Sequence, residues 1–439
     1  MGRLRGWKTL VTDGVDEITR LVQRTHHVVA ERQLRRLEHV PEVAEVARAV
    51  DSAHRAIADL VYGSILAVNR GVEAATELAL DALPAPTTSD DPSTRREGAR
   101  PWLVDAAQSA LNGAFGDYLR ERGNELDLGM TLHAAIAAPP LPEVTAEALA
   151  EHVPEATSRL VLFVHGLATN ECSWRFGVDR YVEGDGDGEG EPPGRGQTFA
   201  ERLAPHGFTS LYLRYNTGRH ISESGAQLAE LLEVLVERYP LELEQLALVG
   251  HSMGGLVCRS AAHQANERGL HWVERLDQLV CIGSPHHGAP LEKLANVAVN
   301  LLGRIDTAGT QVPAEVIAAR SDGIKDLRFG YTQDKEWRDL DPEALLRDYR
   351  EDVPYLEHVA TCFIGATITR DPEHPMGKLL GDLLVRLPSS TPAPDGSTSR
   401  RTPFELSTLG GLGHLDLLTH PDVYAQLEGL FTSGLPRCR

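Results

Sequence analysis

Residues 245–263 read QLALVGHSMGGLVCRSAAH, and this stretch decides the fold. LALV is apolar without alternation, as suits a strand covered on both faces, and the pattern from Gly254 to Arg268 is helical. Between them Gly250-His251-Ser252-Met253-Gly254 matches G-x-S-x-G, and Gly255 adds further clearance. A sharp strand-to-helix turn needs small flanking residues to hold a strained serine with its Oγ exposed. A bare pentad of this kind would often be a glycine-rich turn without catalytic meaning. The strand before it and the helix after it make Ser252 the candidate nucleophile.

Working outward, four more runs share the same character: RLVLFVHG (159–166), TSLYLRYN (209–216), LDQLVCIGS (276–284) and VATCFIGAT (359–367). Helical patterns around Glu201, over 222–239 and over 254–268 fill the gaps. The alternation predicts an α/β domain with a doubly wound, mostly parallel sheet over residues 124–439. Residues 1–123 read as a helical N-terminal region with a Pro/Ser/Thr-rich linker around 84–101. In it, Val43, Val46, Val50, Ala53, Ile57, Leu60 and Val61 recur at helical spacing, a stripe that must be buried against something. A weaker pattern covers 13–37, and another helix is expected over 102–122. The acidic stretch 181–196 carries Asp185, Asp187, Glu189 and Glu191, but Gly196 stands where a calcium loop needs its bidentate glutamate, so an exposed loop is expected.

A serine hydroxyl needs a base, itself oriented by a carboxylate, and in this type of fold both follow the nucleophile, acid before histidine. After Asp382 only His414 and His420 remain. His414, in LGGLGHLDLL, has the glycines of a loop that reaches back over the sheet edge, whereas His420 suits the start of a final helix. For the acid, Asp371, Glu373 and Asp382 compete. Asp371 sits among prolines that suggest a surface turn. Asp382 lies in an apolar segment, where an unpaired carboxylate would be costly. Asp382 is therefore favoured, with Asp371 in reserve. The oxyanion donors expected are the backbone N–H groups of Met253, after the nucleophile, and Leu167, after the strand ending in VHG. His165 is expected to brace that loop.

Of the 439 residues, 43 are Lys or Arg and 63 are Asp or Glu, a formal net charge of −20. That balance disfavours nucleic-acid binding and polybasic attachment to anionic membranes. No signal peptide and no spanning helix are expected, since the longest apolar neighbourhood, 61–83, is interrupted by Asn69, Arg70, Glu73 and Glu77. The five cysteines are scattered, without a CxxC pair, which favours a reducing cytoplasm over a disulfide framework or a zinc site. No cofactor or metal is expected.

FVHGL, GHSMGG, GSPHHGAP, GDLLV and GHLDLL follow one another here in the order seen in serine α/β-hydrolases. The sequence resembles the bacterial lipase-like and esterase-like branch of that superfamily, related to GPI inositol-deacylases. The resemblance implies an α/β-hydrolase fold and a Ser252–Asp382–His414 triad, with Leu383 in place of the glycine usual in the acidic motif and Gly413 in place of an asparagine. In some of those lipases the aspartate matching Asp416 helps to hold calcium, but nothing else in this sequence completes such a site. His286 and His287 match a recurrent feature of the active-site rim and are expected to be structural. The insertion at 290–355 falls where such enzymes place a cap or lid, with extra core packing the alternative. The expected activity is hydrolysis of small-molecule or lipid carboxylic esters through an acyl-enzyme. Acyl transfer by the same triad and a noncatalytic scaffold are the alternatives. Haloalkane dehalogenase or epoxide hydrolase chemistry would require aspartate at position 252. Oligomeric state is left open.

Overall fold

All five apolar runs are strands in the computed structural model of the chain, which describes residues 101–181, 196–289, 320–340, 347–390 and 404–433 together with Thr19, Arg20, Gln23, Tyr62, Gly63 and Leu66. Outside the described residues lie most of the helical patterns at 13–37 and 41–83, nearly all of the linker and of the acidic stretch, and the first half of the insertion. The chain divides into two compact units, Met1–Leu111 and Asn112–Arg439. The second unit holds the sheet and every candidate site residue.

Among the described residues there are seven strands: β1 Met130–His133, β2 Arg159–Val164, β3 Phe208–Tyr215, β4 Gln245–His251, β5 Leu276–Ile282, β6 Ala360–Thr367 and β7 Phe404–Gly410. They form one sheet in the order β1-β3-β2-β4-β5-β6-β7. Only β1 runs antiparallel, against β3. The helices, in chain order, are α1 Pro101–Glu121, α2 Ala146–His152, α3 Phe199–Leu203, α4 Ile221–Arg238, α5 Met253–Arg268, α6 Asp322–Asp326, α7 Pro375–Leu380, α8 Leu387–Ser390 and α9 Pro421–Ser433. This is the strand order and helix cover of the α/β-hydrolase fold, as the sequence predicts.

The central strands show why their runs lack alternation. Leu160, Leu162 and Val164 of β2 join Leu246 and Leu248 of β4 in a core closed by α4 and α5. Their neighbours Val161, Phe163, Ala247 and Val249 join the opposite core, closed by α3 and α9. Every second side chain is buried on one face and the rest on the other, at about 1.5–3 kcal/mol for each fully buried Val, Leu or Phe. The edge strands have no such signature. β1 is four residues long, and β7 leaves Leu406 exposed.

The described part of the insertion is bonded to the helices beneath it. The Asp326 carboxylate accepts the Ile221 N–H at 2.8 Å and pairs with His220 Nδ1 at 3.0 and 3.1 Å. Trp337 stacks on His220 with ring centroids 3.5 Å apart and donates its Nε1–H to Ser222 Oγ at 2.9 Å. Ser260 Oγ donates to the Thr332 carbonyl at 2.6 Å. Among the described residues no helix is long and apolar enough to cross a membrane.

The turn from β4 into α5 depends on two close approaches. A Cβ on Gly250 would overlap the Gly254–Gly255 backbone, and one on Gly254 would overlap the Val164 and His165 carbonyls of the neighbouring strand end. Gly254→Ala should therefore destabilise the protein by about 1–3 kcal/mol, although alanine in a free helix would be worth about 1 kcal/mol in its favour. Urea unfolding measures this. A midpoint raised by the substitution would mean that α5 does not rest on β2.

Candidate active site

Ser252 stands between the last residue of β4 and the first of α5 with φ 54° and ψ −123°, in a region that a residue with a side chain enters only under strain. Its amide donates to the Ile282 carbonyl at 2.8 Å, so the strained residue is held by the end of β5. Its side chain remains partly accessible, in contrast to the fully buried run before it. On its other side lies the loop after β2, where a Cβ on Gly166 would come within 3.0 Å of the Ser252 Cβ.

That loop is tied in several places. Thr169 Oγ1 donates to the Gly166 carbonyl at 2.9 Å, and Ala168, at φ 58°, donates its N–H to Thr217 Oγ1 at 3.0 Å. Tyr215 OH donates to the His165 carbonyl at 3.0 Å, its N–H bonds His165 Nε2 at 3.3 Å, and the two rings lie 4.6 Å apart. The buried Glu171 carboxylate, just beyond, accepts Arg214 Nε–H at 2.7 Å. The amides of Leu167, directly after Gly166, and of Met253, directly after Ser252, donate to no protein acceptor among the described residues.

His414 and Asp382 come from the loops after the last two strands. His414 follows β7 through Gly410 and Gly411, and Asp382 follows β6 and α7. His414 Nδ1 lies 2.7 Å from Asp382 Oδ2, with both side chains buried, and the His414 N–H donates to the Asp382 carbonyl at 3.1 Å. The other carboxylate oxygen accepts the N–H groups of Leu384 at 3.0 Å and Val385 at 2.8 Å. A buried carboxylate with three donors is adequately compensated. The loop achieves this through Leu383 at φ 84°, the position where related motifs carry glycine. Asp371, the reserve, is exposed and accepts the Glu373 N–H at 2.9 Å in its own turn.

The imidazole of His414 reaches the end of β5. A Cβ on Gly283, directly after β5, would lie 3.2 Å from His414 Cε1. His251, next to Ser252 in sequence, donates from Nε2 to the His414 carbonyl at 3.1 Å, and the two rings are 4.7 Å apart. Sequence reasoning misses His251 because it occupies a variable place in the pentad. Its signal is a polar ring ending an otherwise apolar strand.

Electrostatics separate these histidines. Burial holds His165 down to about 4 and His251 well below the ordinary imidazole range, in the second case with help from His414. Burial, then Arg259 alongside, does the same to His286. Of the four histidines gathered at this end of the sheet, His414 alone bonds a carboxylate among the described residues. His165 braces its loop as expected. His286 bonds Arg259 at 2.9 Å, and His287 is exposed. The His420 ring caps α9, accepting the Asp422 N–H at 3.1 Å. Asp416 is engaged by Arg180 at 3.0 Å and by the Gly413 N–H at 2.9 Å. Among the described residues no three His, Cys, Asp or Glu side chains cluster as metal ligands would.

A sequence profile described as the PGAP1-like alpha/beta domain matches residues 155–311, which span β2 to β5 and the pentad. The chain is related to the serine α/β-hydrolases. Solved structures similar to it include the mature lipase BlEst2 of Bacillus licheniformis, 17% identical over 69% of this chain and 98% of that one, with a TM-score of 0.38. The Staphylococcus hyicus lipase is 14% identical over 63% and 94% of the two chains, with a TM-score of 0.34. Carboxylesterase CesB (YbfK) from Bacillus subtilis is 14% identical over 63% and 85%, with a TM-score of 0.30. A comparison with curated proteins returned no match. At these distances neither substrate nor reaction transfers from the neighbours.

The two aspartates should differ sharply in what they contribute to stability. Asp382→Ala strands His414 Nδ1, the buried Val385 N–H and the half-buried Leu384 N–H, a loss of about 1–3 kcal/mol. Asp371→Ala, at the surface, should stay within about 0.5 kcal/mol. Thermal or urea unfolding of the pair decides, and equal losses would contradict the buried network around Asp382.

Proposed function

We propose that the chain is a serine hydrolase of carboxylic esters. Ser252 is the nucleophile, His414 the general base and acid, and Asp382 the orienting carboxylate. Leu167 and Met253 supply the oxyanion N–H groups. The observation that carries this reading is the buried 2.7 Å contact between His414 Nδ1 and Asp382 Oδ2, in a loop bonded to His251, the residue before the strained Ser252.

With Nδ1–H donated to Asp382, the lone pair of His414 Nε2 is left for the serine proton. As Ser252 Oγ bonds to the ester carbonyl carbon, its proton passes to Nε2, and Asp382 stabilises the imidazolium so formed. The carbonyl oxygen gains the negative charge and accepts the Leu167 and Met253 N–H groups, each such donor being worth about 10²–10³ in rate. His414 then returns the proton to the alkoxide oxygen as the carbon–oxygen bond breaks, which leaves an acyl-enzyme. Water, deprotonated by the same histidine, attacks next, and the carboxylic acid departs with Ser252 restored. The neutral state of His251 and His165 supports this division of labour, because neither adds a positive charge beside the imidazolium.

Ser252→Ala should abolish labelling by a fluorophosphonate probe and leave the thermal midpoint nearly unchanged. Labelling that persists at another serine would overturn the nucleophile, and no labelling of the unaltered chain would favour a noncatalytic scaffold. With p-nitrophenyl esters, Asp382→Asn should lower kcat by about 10⁴, the scale seen when a triad aspartate is replaced, while Asp371→Asn should change it little. The reverse ranking would transfer the role to Asp371.

A further inference from the structure

Ala168 holds φ 58°, a backbone state that alanine does not adopt unaided, and it directly follows the proposed oxyanion donor Leu167. Its N–H is taken by Thr217 Oγ1. Its other face is covered by the C-terminal half of α1. A Cβ added to Gly113 would lie 2.6 Å from the Ala168 Cβ, 2.8 Å from its Cα and 3.1 Å from its N. Only a bare glycine lets α1 come this close.

Gly113 is itself anchored. Ser321 Oγ donates to its carbonyl at 2.6 Å. Asn112 Nδ2 donates to the Leu126 carbonyl at 2.8 Å, and Asn112 Oδ1 accepts the Leu128 N–H at 3.0 Å. One turn on, Asn216 Nδ2 donates to the Gly116 carbonyl at 2.8 Å, in the same loop that carries Thr217. Asp322, at the start of α6, donates its N–H to Asp117 Oδ2 at 3.2 Å. A helix on the domain surface with no further role would be expected to rest on apolar side chains and to favour alanine at Gly113. Here polar contacts from three segments fix the end of α1 that lies against the residue after Leu167.

We infer that the stretch of α1 from Asn112 to Asp117 supports the proposed oxyanion loop, with Gly113 a positioning residue that seats Ala168 and thereby aims the Leu167 N–H at the developing oxyanion. The inference rests on the hydrolase reading. Alanine at 113 must push the Ala168 backbone by several tenths of an ångström, enough to spoil a hydrogen bond that matters only in the transition state.

In the 439-residue chain, Gly113→Ala should lower kcat for p-nitrophenyl esters about tenfold or more, with KM within about twofold, since one oxyanion donor is worth about 10²–10³. Its preference for an oxygen ester over the matching thionoester, whose sulfur accepts hydrogen bonds poorly, should shrink. Amide exchange in residues 165–170 should rise while the thermal midpoint holds. Adding Ala168→Gly removes the Cβ overlap and suits the positive φ, while the 2.8 Å approach to the Cα remains, so it should restore a measurable part of the lost kcat. Unchanged kcat and exchange in Gly113→Ala would overturn the inference, as would a loss that follows the thermal midpoint and is not rescued by Ala168→Gly. If Gly113→Ala fails to fold, Ser321→Ala, which frees the Gly113 carbonyl, is held to the same criteria. Ester turnover missing from the unaltered chain would count against the hydrolase reading, and amide exchange would still decide whether Gly113 seats the loop.

Discussion

The seating of α5 on the end of β2 is the constraint on which the rest depends. With Gly254 pressed against the Val164 and His165 carbonyls, the helix starts one residue after the strand ends, and Ser252 has no relaxed conformation open to it. Strain of this kind costs on the order of 1–3 kcal/mol and persists only where its surroundings over-determine it. Here the surroundings are the Ser252 amide bonded to Ile282, Gly166 against the Ser252 Cβ, and two buried cores that fix β2, β4 and β5 in register. The same approach brings the loop after β2 against the serine from which α5 starts. The placement of the Leu167 and Met253 N–H groups thus follows from the packing of a helix on a strand.

Low dielectric then sorts the imidazoles. Four rings crowd the end of the sheet, and in water each would titrate near neutrality. Burial removes that freedom from His165, His251 and His286, which serve as neutral hydrogen-bonding struts. His414 differs in its partner, Asp382, whose remaining oxygen is saturated by backbone N–H groups and so is not free to turn away. In the proposed mechanism His414 carries a proton briefly and needs a nearby fixed negative charge, and the loop after β6 holds the Asp382 carboxylate against it.

Much of this was legible in the sequence, and the pattern of success has a physical basis. Strands covered on both faces advertise themselves as unbroken apolar runs, so β2 to β6 were readable. β1 and β7 are edges, one of four residues and the other half-exposed, and neither needs such a run. Ser252 was legible because its turn demands glycines, and His414 because few histidines remain downstream. The preference for Asp382 over Asp371 came from the cost of an unpaired carboxylate among leucines. The leucine at 383 looked like a departure from the motif, yet the chain reaches positive φ there without the glycine, in a loop held by the three bonds to the Asp382 carboxylate. The link from Gly113 to Ala168 and Thr217 was invisible because it is made by contact between segments far apart in the chain, and spacing carries no record of it.

Such long-range seating explains how a loop without regular structure can be rigid. The segment 165–171 has few bonds within itself. It is held from outside by Tyr215, Thr217 and Arg214, all on or just after β3, and by Gly113 from α1. β3 is the hydrogen-bonded neighbour of β2 in the sheet, so the loop and these clamps are built on one frame. α1 is not part of the sheet and does not move with it by necessity. The polar anchors at Asn112, Gly116 and Asp117 are what tie its end to the same frame.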